Sequence, residues 1–528
     1  MLSADLAILN ANIITLNPKQ PRAQALAVYD GKIVAVGSNR DIRRYVSQTT
    51  KIADAKNKTL VPGLVDCHVH MTGFGYSLQS LNLRNVRSIK EMQQKLQEYA
   101  KRNREGSWIT GGRWDQENFA EKRYPTRWDL DKAEPDRPVF LQRVCGHLAV
   151  ANTKALQLSG ITKEAHVEGG QIDIDHKTSE PNGVLRENAV DLVWKVIPKP
   201  REEDIEKACL LACQNAAETG LTGVHWIVGS AKEIKVLQKL HSEGKLPIRV
   251  YLGIPVNYLD KLAALGLSTG FGSPMLKIGF IKILADGSLG ARTAALKAPY
   301  SDKPQTSGMM LYSQKNLSKL VSKAHKLGMQ LAVHAIGDRA TEIVLNAFKE
   351  AQRQFPSRNC RHRIEHCSVL TPKLVRQMKQ LDIIASVQPH FVVSDFWVEE
   401  RLGKTRARWV YPFETLVKQG LTVVSGSDCP VEPISPILGV WAAVAKQRIP
   451  DENLTVEEAL RTYTVNAAYA SFVENEKGTI ETGKCADFVI FSADILRIPR
   501  EKIKEVIAEM TVVDGKIVYV SKGFQKTG

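Results

Sequence analysis

Val61 to Met71 reads V-P-G-L-V-D-C-H-V-H-M, and this stretch decides how the chain folds. Val61, Leu64 and Val65 are apolar, Pro62 and Gly63 mark a turn into the segment, and His68 and His70 stand two residues apart at its end. In a β-strand the side chains of residues i and i+2 share a face. A buried strand over Leu60 to Val65 would then present two imidazoles side by side at its C-terminal end, where a closed parallel barrel carries its active site. A His-x-His pair is a metal-ligand arrangement. Such pairs also occur by chance on surfaces, so its weight depends on ligands supplied downstream.

Downstream, apolar runs alternate with helical stretches. Strand candidates are Gly223 to Ile227, Ile248 to Ile254, Gly279 to Leu284, Gln330 to His334, Arg363 to His366, Ile383 to Val387 and Thr422 to Ser425. Helices such as Glu203 to Glu218, Ala231 to Glu243, Leu317 to Leu327 and Thr341 to Gln354 separate many of them. Together with the first strand these predict a (β/α)8 TIM barrel. An open doubly wound sheet is the runner-up, and it lacks a phosphate-binding glycine fingerprint after the first strand.

The two ends of the chain read differently. Residues 5 to 60 form short strand candidates with an Asp30-Gly31 turn, and Ala486 to Phe491 and Met510 to Val520 repeat that style around Asp514-Gly515. Asp-Gly between apolar runs is a hairpin signal. Residues 1–60 plus 480–528 are therefore expected to meet in a small β-sandwich-like domain, with the barrel, 61–479, inserted between them. Residues 72–200 are far too long for a first crossover and are expected to fold as a lid subdomain over the barrel mouth. They carry G-G-R-W-D-Q-E-N-F (111–119) and R-P-V-F-L-Q-R-V-C-G-H-L-A-V-A-N (137–152).

At 528 residues the chain exceeds one ordinary domain of about 150 residues. With 43% hydrophobic and 24% charged residues it can bury a large core, and global disorder is excluded. The formal charge of +16 comes from Lys and Arg spread without a dense basic tract or interleaved aromatics, so neither nucleic acid nor a membrane is an expected partner. A small-molecule substrate is expected, and a homodimer is left open. The N-terminal stretch shows no secretory signal and no run of about 18 apolar residues occurs, which places the protein in the cytoplasm by default. The eight cysteines show no CxxC and no disulfide framework.

The strand ends supply the missing ligands. The fourth strand, G-F-I-K-I-L-A-D-G, buries Lys282 among Phe280, Ile281, Ile283 and Leu284, where an unpaired ammonium is costly. Such a lysine pairs with a carboxylate, or its neutral amine takes up carbon dioxide and becomes a carbamate bridging two metals. The fifth strand ends at His334, the sixth at His366 and the eighth at Asp428. Singly, each has a bland alternative: a satisfied core histidine, or a helix N-cap before Pro430. Glu365 is expected to point away from the pocket if His366 points in. Collectively, His68, His70, Lys282, His334, His366 and Asp428 describe a two-metal site suited to zinc or a similar divalent ion, one or two per chain.

The chain resembles the amidohydrolase superfamily, in particular the YtcJ-like group that includes N-substituted formamide deformylases. The resemblance is carried by V-P-G-L-V-D-C-H-V-H, I-K-I-L-A-D-G-S-L-G-A-R-T-A, V-H-A-I-G-D-R-A, R-I-E-H and S-G-S-D-C-P-V, with G-G-R-W-D and G-H-L-A-V-A-N in the insertion. It implies that His68, His70 and Asp428 hold a first metal, His334 and His366 a second, and Lys282, carboxylated, bridges them. It further implies hydrolysis of a non-peptide C–N bond by a metal-activated hydroxide, with Asp428 passing a proton to the leaving amine. A deaminase or cyclic amidase of the same superfamily, or a non-catalytic regulatory homologue, remains an alternative. Trp114, Asp115 and His147 in the insertion, and Asp286 and Arg292 after the fourth strand, match family segments and are candidate substrate contacts. Trp114 serves equally as lid core, and Arg292 as the partner of an acidic neighbour.

Overall fold

The structure is a computed structural model describing residues 3–103, 108–144, 148–167, 170–357 and 359–524. One eight-stranded sheet runs in the order Val423–Ser425, Ile384–Val387, Arg363–His366, Gln330–Ala335, Leu276–Leu284, Arg249–Pro255, Leu221–Ile227, Leu64–Val69. Every hydrogen-bonded pair in it is parallel. Such strands are buried on both faces and read as unbroken apolar runs; Phe280, Ile281 and Ile283 are all fully buried. The helices between them are amphipathic. Asp338–Gln354, for example, buries Val344, Leu345, Phe348 and Ala351 on one face.

The first and eighth strands nearly close the sheet into a barrel, and they meet where the candidate ligands lie. Asp428 N–H donates to His68 O at 2.7 Å, and His70 N–H donates to Cys429 O at 2.8 Å. Gly426 permits the approach, since a Cβ there would sit 2.5 Å from the His68 nitrogen. The first strand differs from its expected span. Thr59–Pro62 and Leu64–Val69 are separate strands of different sheets, divided at Gly63. Both pieces are apolar, so the pattern alone reads them as one.

Thr59–Pro62 belongs to a six-stranded sheet ordered Lys516–Val520, Ala508–Val513, Phe488–Phe491, Thr59–Pro62, Asn12–Ile14, Arg22–Ala23. Its antiparallel pairing with Phe488–Phe491 sets Val61 opposite Val489 and joins the two ends of the chain. A second sheet, Lys32–Gly37, Ala25–Tyr29, Leu6–Leu9, Lys51–Asp54, packs against it through Leu6, Ile8, Leu26, Val28, Leu60, Phe488, Ile490 and Met510. Two sheets sharing one apolar layer make a sandwich.

By its internal contacts the chain divides into Met1–Thr72 with Cys209–Gly528, and Gly73–Ala208. The second unit has its own six-stranded sheet, Gly170–Ile174, Pro181–Glu187, Leu148–Ala151, Val139–Arg143, Ile109–Trp114, Leu81–Asn82. Its core includes Met92, Leu96, Trp114, Phe119 and Leu141. No described helix is long and apolar enough to cross a membrane.

Candidate metal centre

His68 lies inside the first barrel strand and His70 just past its end; Lys282 is in the fourth strand, His334 in the fifth, and His366 closes the sixth. Asp428 follows the eighth strand. One ligand atom from each of His68, His70 and Asp428 falls within 4.8 Å of the others. Asp428 Oδ1 is 3.3 Å from His70 Nε2 and 3.5 Å from His68 Nε2. Lys282 Nζ is 3.3 Å from His68 Nε2. The His366 ring centre lies 5.0 Å from that of His68 and 4.4 Å from that of His334. The six groups thus form one contiguous cluster.

The backbone bends to build it. Across Val224 to Trp226 the first strand spends an extra residue between Asp66 and Val69, a bulge at Cys67–His68. His366 and Asp428 have φ of 75° and 56°, the left-handed region that non-glycine residues seldom occupy outside functional sites.

Hydrogen bonds fix which nitrogen each imidazole offers. His68 Nδ1–H donates to Glu365 Oε2 at 2.5 Å, His366 Nδ1–H to Gln388 Oε1 at 2.7 Å, and His334 Nε2–H to the Gly287 carbonyl at 3.0 Å. A neutral ring that donates through one nitrogen keeps a lone pair on the other. His68 and His366 therefore keep Nε2, and His334 keeps Nδ1.

The electrostatics agree. Burial, reinforced by Lys282, pushes the His68 pKa down to about 4, and burial with the neighbouring His334 and His68 rings holds His366 well below its ordinary value. Burial brings the Lys282 ammonium down to about 8 against the pull of Glu365 and Asp428. For Asp428 burial favours the neutral acid, but His68, His70 and His366 outweigh it and hold the carboxyl below its usual range. Neutral imidazoles at His68 and His366, an amine with an accessible neutral form and an ionised carboxylate are protonation states a divalent cation requires of its ligands. The nitrogen and oxygen donor set fits one or two such ions.

The candidate substrate contacts fare differently. Asp286 is buried, and its carboxylate accepts the N–H groups of Ala295, Ile336 and Gly337 at 2.9 to 3.0 Å, with Oδ1 also 3.3 Å from His334 Nε2. It braces the fifth-strand end beside His334. Arg292 is held by Asp302, Nη2 to Oδ2 at 2.6 Å. In the second unit, Trp114 is fully buried and donates Nε1–H to Leu141 O at 3.0 Å. Asp115 Oδ1 accepts Arg143 Nη2 at 2.7 Å and caps the short helix Gln116–Asn118. His147 lies outside the described residues.

Two partners of the ligands escape sequence reasoning. Glu365 does not point away: the left-handed φ at His366 breaks the strand alternation, so Glu365 and His366 both reach the His68 ring. Gln388 follows the seventh strand directly, and a polar residue at the end of a barrel strand without an assigned ligand was the signal for it.

A second group, His325, Cys360 and His362, also brings potential ligand atoms together. Its hydrogen bonds argue against a metal. Leu331 N–H donates to His362 Nδ1 at 3.1 Å, His362 Nε2–H to His325 Nδ1 at 2.9 Å, and His325 Nε2–H to the Phe355 carbonyl at 2.7 Å. A metal on His362 Nε2 would demand an anionic ring, because the other nitrogen already accepts a proton from the main chain. These residues form a donor relay pinning the fifth strand to its neighbouring loop.

The Amidohydrolase family model matches residues 51–519. The chain is 34% identical to the putative amidohydrolase YtcJ of Bacillus subtilis (strain 168), over 96% of this chain and 98% of that protein. It is 28% identical to the N-substituted formamide deformylase of Arthrobacter pascens, over 98% of this chain and 99% of that one. A crystal structure of an uncharacterized metal-dependent hydrolase from Pyrococcus furiosus superposes with a TM-score of 0.79 at 33% identity, covering 93% of this chain and all of the other, 100%.

Proposed function

The chain belongs to the amidohydrolase family, and on that premise we propose that it is a cytoplasmic, metal-dependent hydrolase of a non-peptide C–N bond, with an N-substituted formamide as the substrate type. The observation that carries this reading is the convergence of six strand-end groups in which three imidazoles each have one nitrogen engaged by a protein acceptor and the other left as a lone pair. His68, His70 and Asp428 would hold one ion, His334 and His366 a second, with Lys282 between them as a carbamate. A bound divalent ion supplies a water acidified to near neutrality and a Lewis acid for the carbonyl oxygen.

The chain's own part is proton handling. Asp428 is ionised and lies between His68 and His70, placed to take a proton from the attacking water and return it to the departing amine nitrogen. The products are a carboxylic acid, formate for a formamide, and an amine. The name of the Arthrobacter pascens relative supports this substrate type, with near-complete coverage of both chains.

The test is release of amine and formate from a panel of N-substituted formamides, set beside cyclic amides and ring amines. Turnover of the formamides alone is the expected result. Preference for a cyclic amide or a ring amine overturns the substrate assignment, and no turnover of any class by metal-loaded protein overturns the enzyme reading.

A further inference from the structure

Arg363 and Glu365 are fully buried in the barrel interior beneath the candidate metal ligands, and each makes more contacts than a stabilising ion pair needs. Arg363 Nε donates to Glu365 Oε1 at 2.7 Å. Its Nη1 donates to His225 Nδ1 at 2.7 Å, its Nη2 to the Cys67 carbonyl at 2.6 Å and to Ser386 Oγ at 3.2 Å, and its guanidinium lies over the Phe280 ring at 4.7 Å. Those partners come from the first, second, fourth and seventh strands, so one cation ties the sixth strand to four others. Glu365 Oε2 accepts Ser386 Oγ–H at 2.7 Å and faces His68 Nδ1 at 2.5 Å.

A buried ion pair is a poor stabiliser, because well-packed apolar side chains of similar volume serve a core as well or better. This assembly therefore needs another reason. A carboxylate can only accept, and Glu365 is the ion-pair partner of Arg363, whose Nε meets its Oε1 at 2.7 Å. The neutral ring compatible with both carries its proton on His68 Nδ1 and a bare lone pair on Nε2, toward Lys282 and Asp428. His366, by contrast, is oriented by the neutral amide of Gln388.

Resting on the metal-dependent reading above, we propose that Glu365 is a positioning residue that fixes the His68 tautomer before any metal arrives, with Arg363 locking the carboxylate in place. The conservative substitution Glu365→Gln is the sharpest probe. Arg363 is an obligate donor, so it would claim the amide oxygen and turn the NH2 toward His68 Nδ1. The ring would then carry its proton on Nε2, the nitrogen a metal needs bare. Ser386→Ala, which leaves the carboxylate and the guanidinium intact, should change little.

The experiment reads the His68 ring nitrogens directly, by solid-state 15N NMR of histidine-labelled, metal-free protein, with His68→Asn identifying the resonances. Expected is a protonated Nδ1 and an unprotonated Nε2 in the parent and in Ser386→Ala, the reverse in Glu365→Gln, and zinc affinity lower by about 10- to 100-fold in Glu365→Gln alone, judged by chelator competition. A parent His68 protonated on Nε2, or present as a mixture of tautomers, overturns the proposal even if Glu365→Gln fails to fold. So does a Glu365→Gln protein with parental tautomer and zinc affinity. A correct parental tautomer in a protein that binds no zinc leaves the role of Glu365 in setting the ring standing and overturns the metal-dependent function instead.

Discussion

Lys282 decides between a bridged two-metal centre and a mononuclear one. Its amine sits 3.3 Å from His68 Nε2, and with a pKa brought down to about 8 a useful share is neutral near physiological pH and able to capture carbon dioxide. Replacement by Ala should lower both bound metal and turnover, and short carboxylic acids with added metal should restore part of each by occupying the vacated bridge. Arg should not substitute, since it cannot form a carbamate. A Lys282→Ala protein that binds metal and turns over like the parent would make the lysine structural. At this scale the six ligand candidates were legible because each stands on or just past an apolar run. Glu365 was not, since period-2 alternation sends it outward and only the φ of 75° at His366 reverses that. Asp286 and Arg292 read equally as pocket or framework; what engages them, three main-chain N–H groups and Asp302, is set by loop geometry the sequence does not display.

Among the elements, the third barrel strand is tied to the terminal sheet by a buried ion cluster. Arg249 gives Nε to Asp487 Oδ2 at 2.7 Å and Nη2 to Asp487 Oδ1 and Asp514 Oδ1, both at 2.9 Å. Burial would raise the Asp487 carboxyl, but Arg249 outweighs it and the net shift is downward. A carboxyl with a lowered folded pKa contributes stability above its unfolded value, about 3.9, and loses it as pH falls through the folded value. Asp487→Asn should therefore cost about 3–5 kcal/mol at neutral pH, as expected when one member of a buried pair is removed. Denaturant unfolding should show the gap between parent and variant narrowing below about pH 4. A variant as stable as the parent at pH 7 would show that the cluster does not fasten the two elements. The eight barrel strands were legible from apolar runs bounded by helices, while the boundary at Gly63 was not, because the strands on either side of it are equally apolar.

For the molecule as a whole, the pairing of Thr59–Pro62 with Phe488–Phe491 joins the two ends of the chain in one sheet, and the first barrel strand begins past Gly63 rather than at Val61. The long insertion was legible as an excess of length, and its own sheet was not, because strands such as Leu81–Asn82 are too short to carry a pattern. The basic residues behind the charge of +16 are spread along the sequence without a dense tract. The central claim is that six groups from five barrel strands form a working metal centre. It is tested most directly by titrating zinc into chelator-stripped protein while following hydrolysis of an N-substituted formamide. Activity should be absent from the stripped protein and rise with occupancy to a plateau at one or at most about two ions per chain. Undiminished hydrolysis by protein shown by elemental analysis to carry no metal would contradict the account.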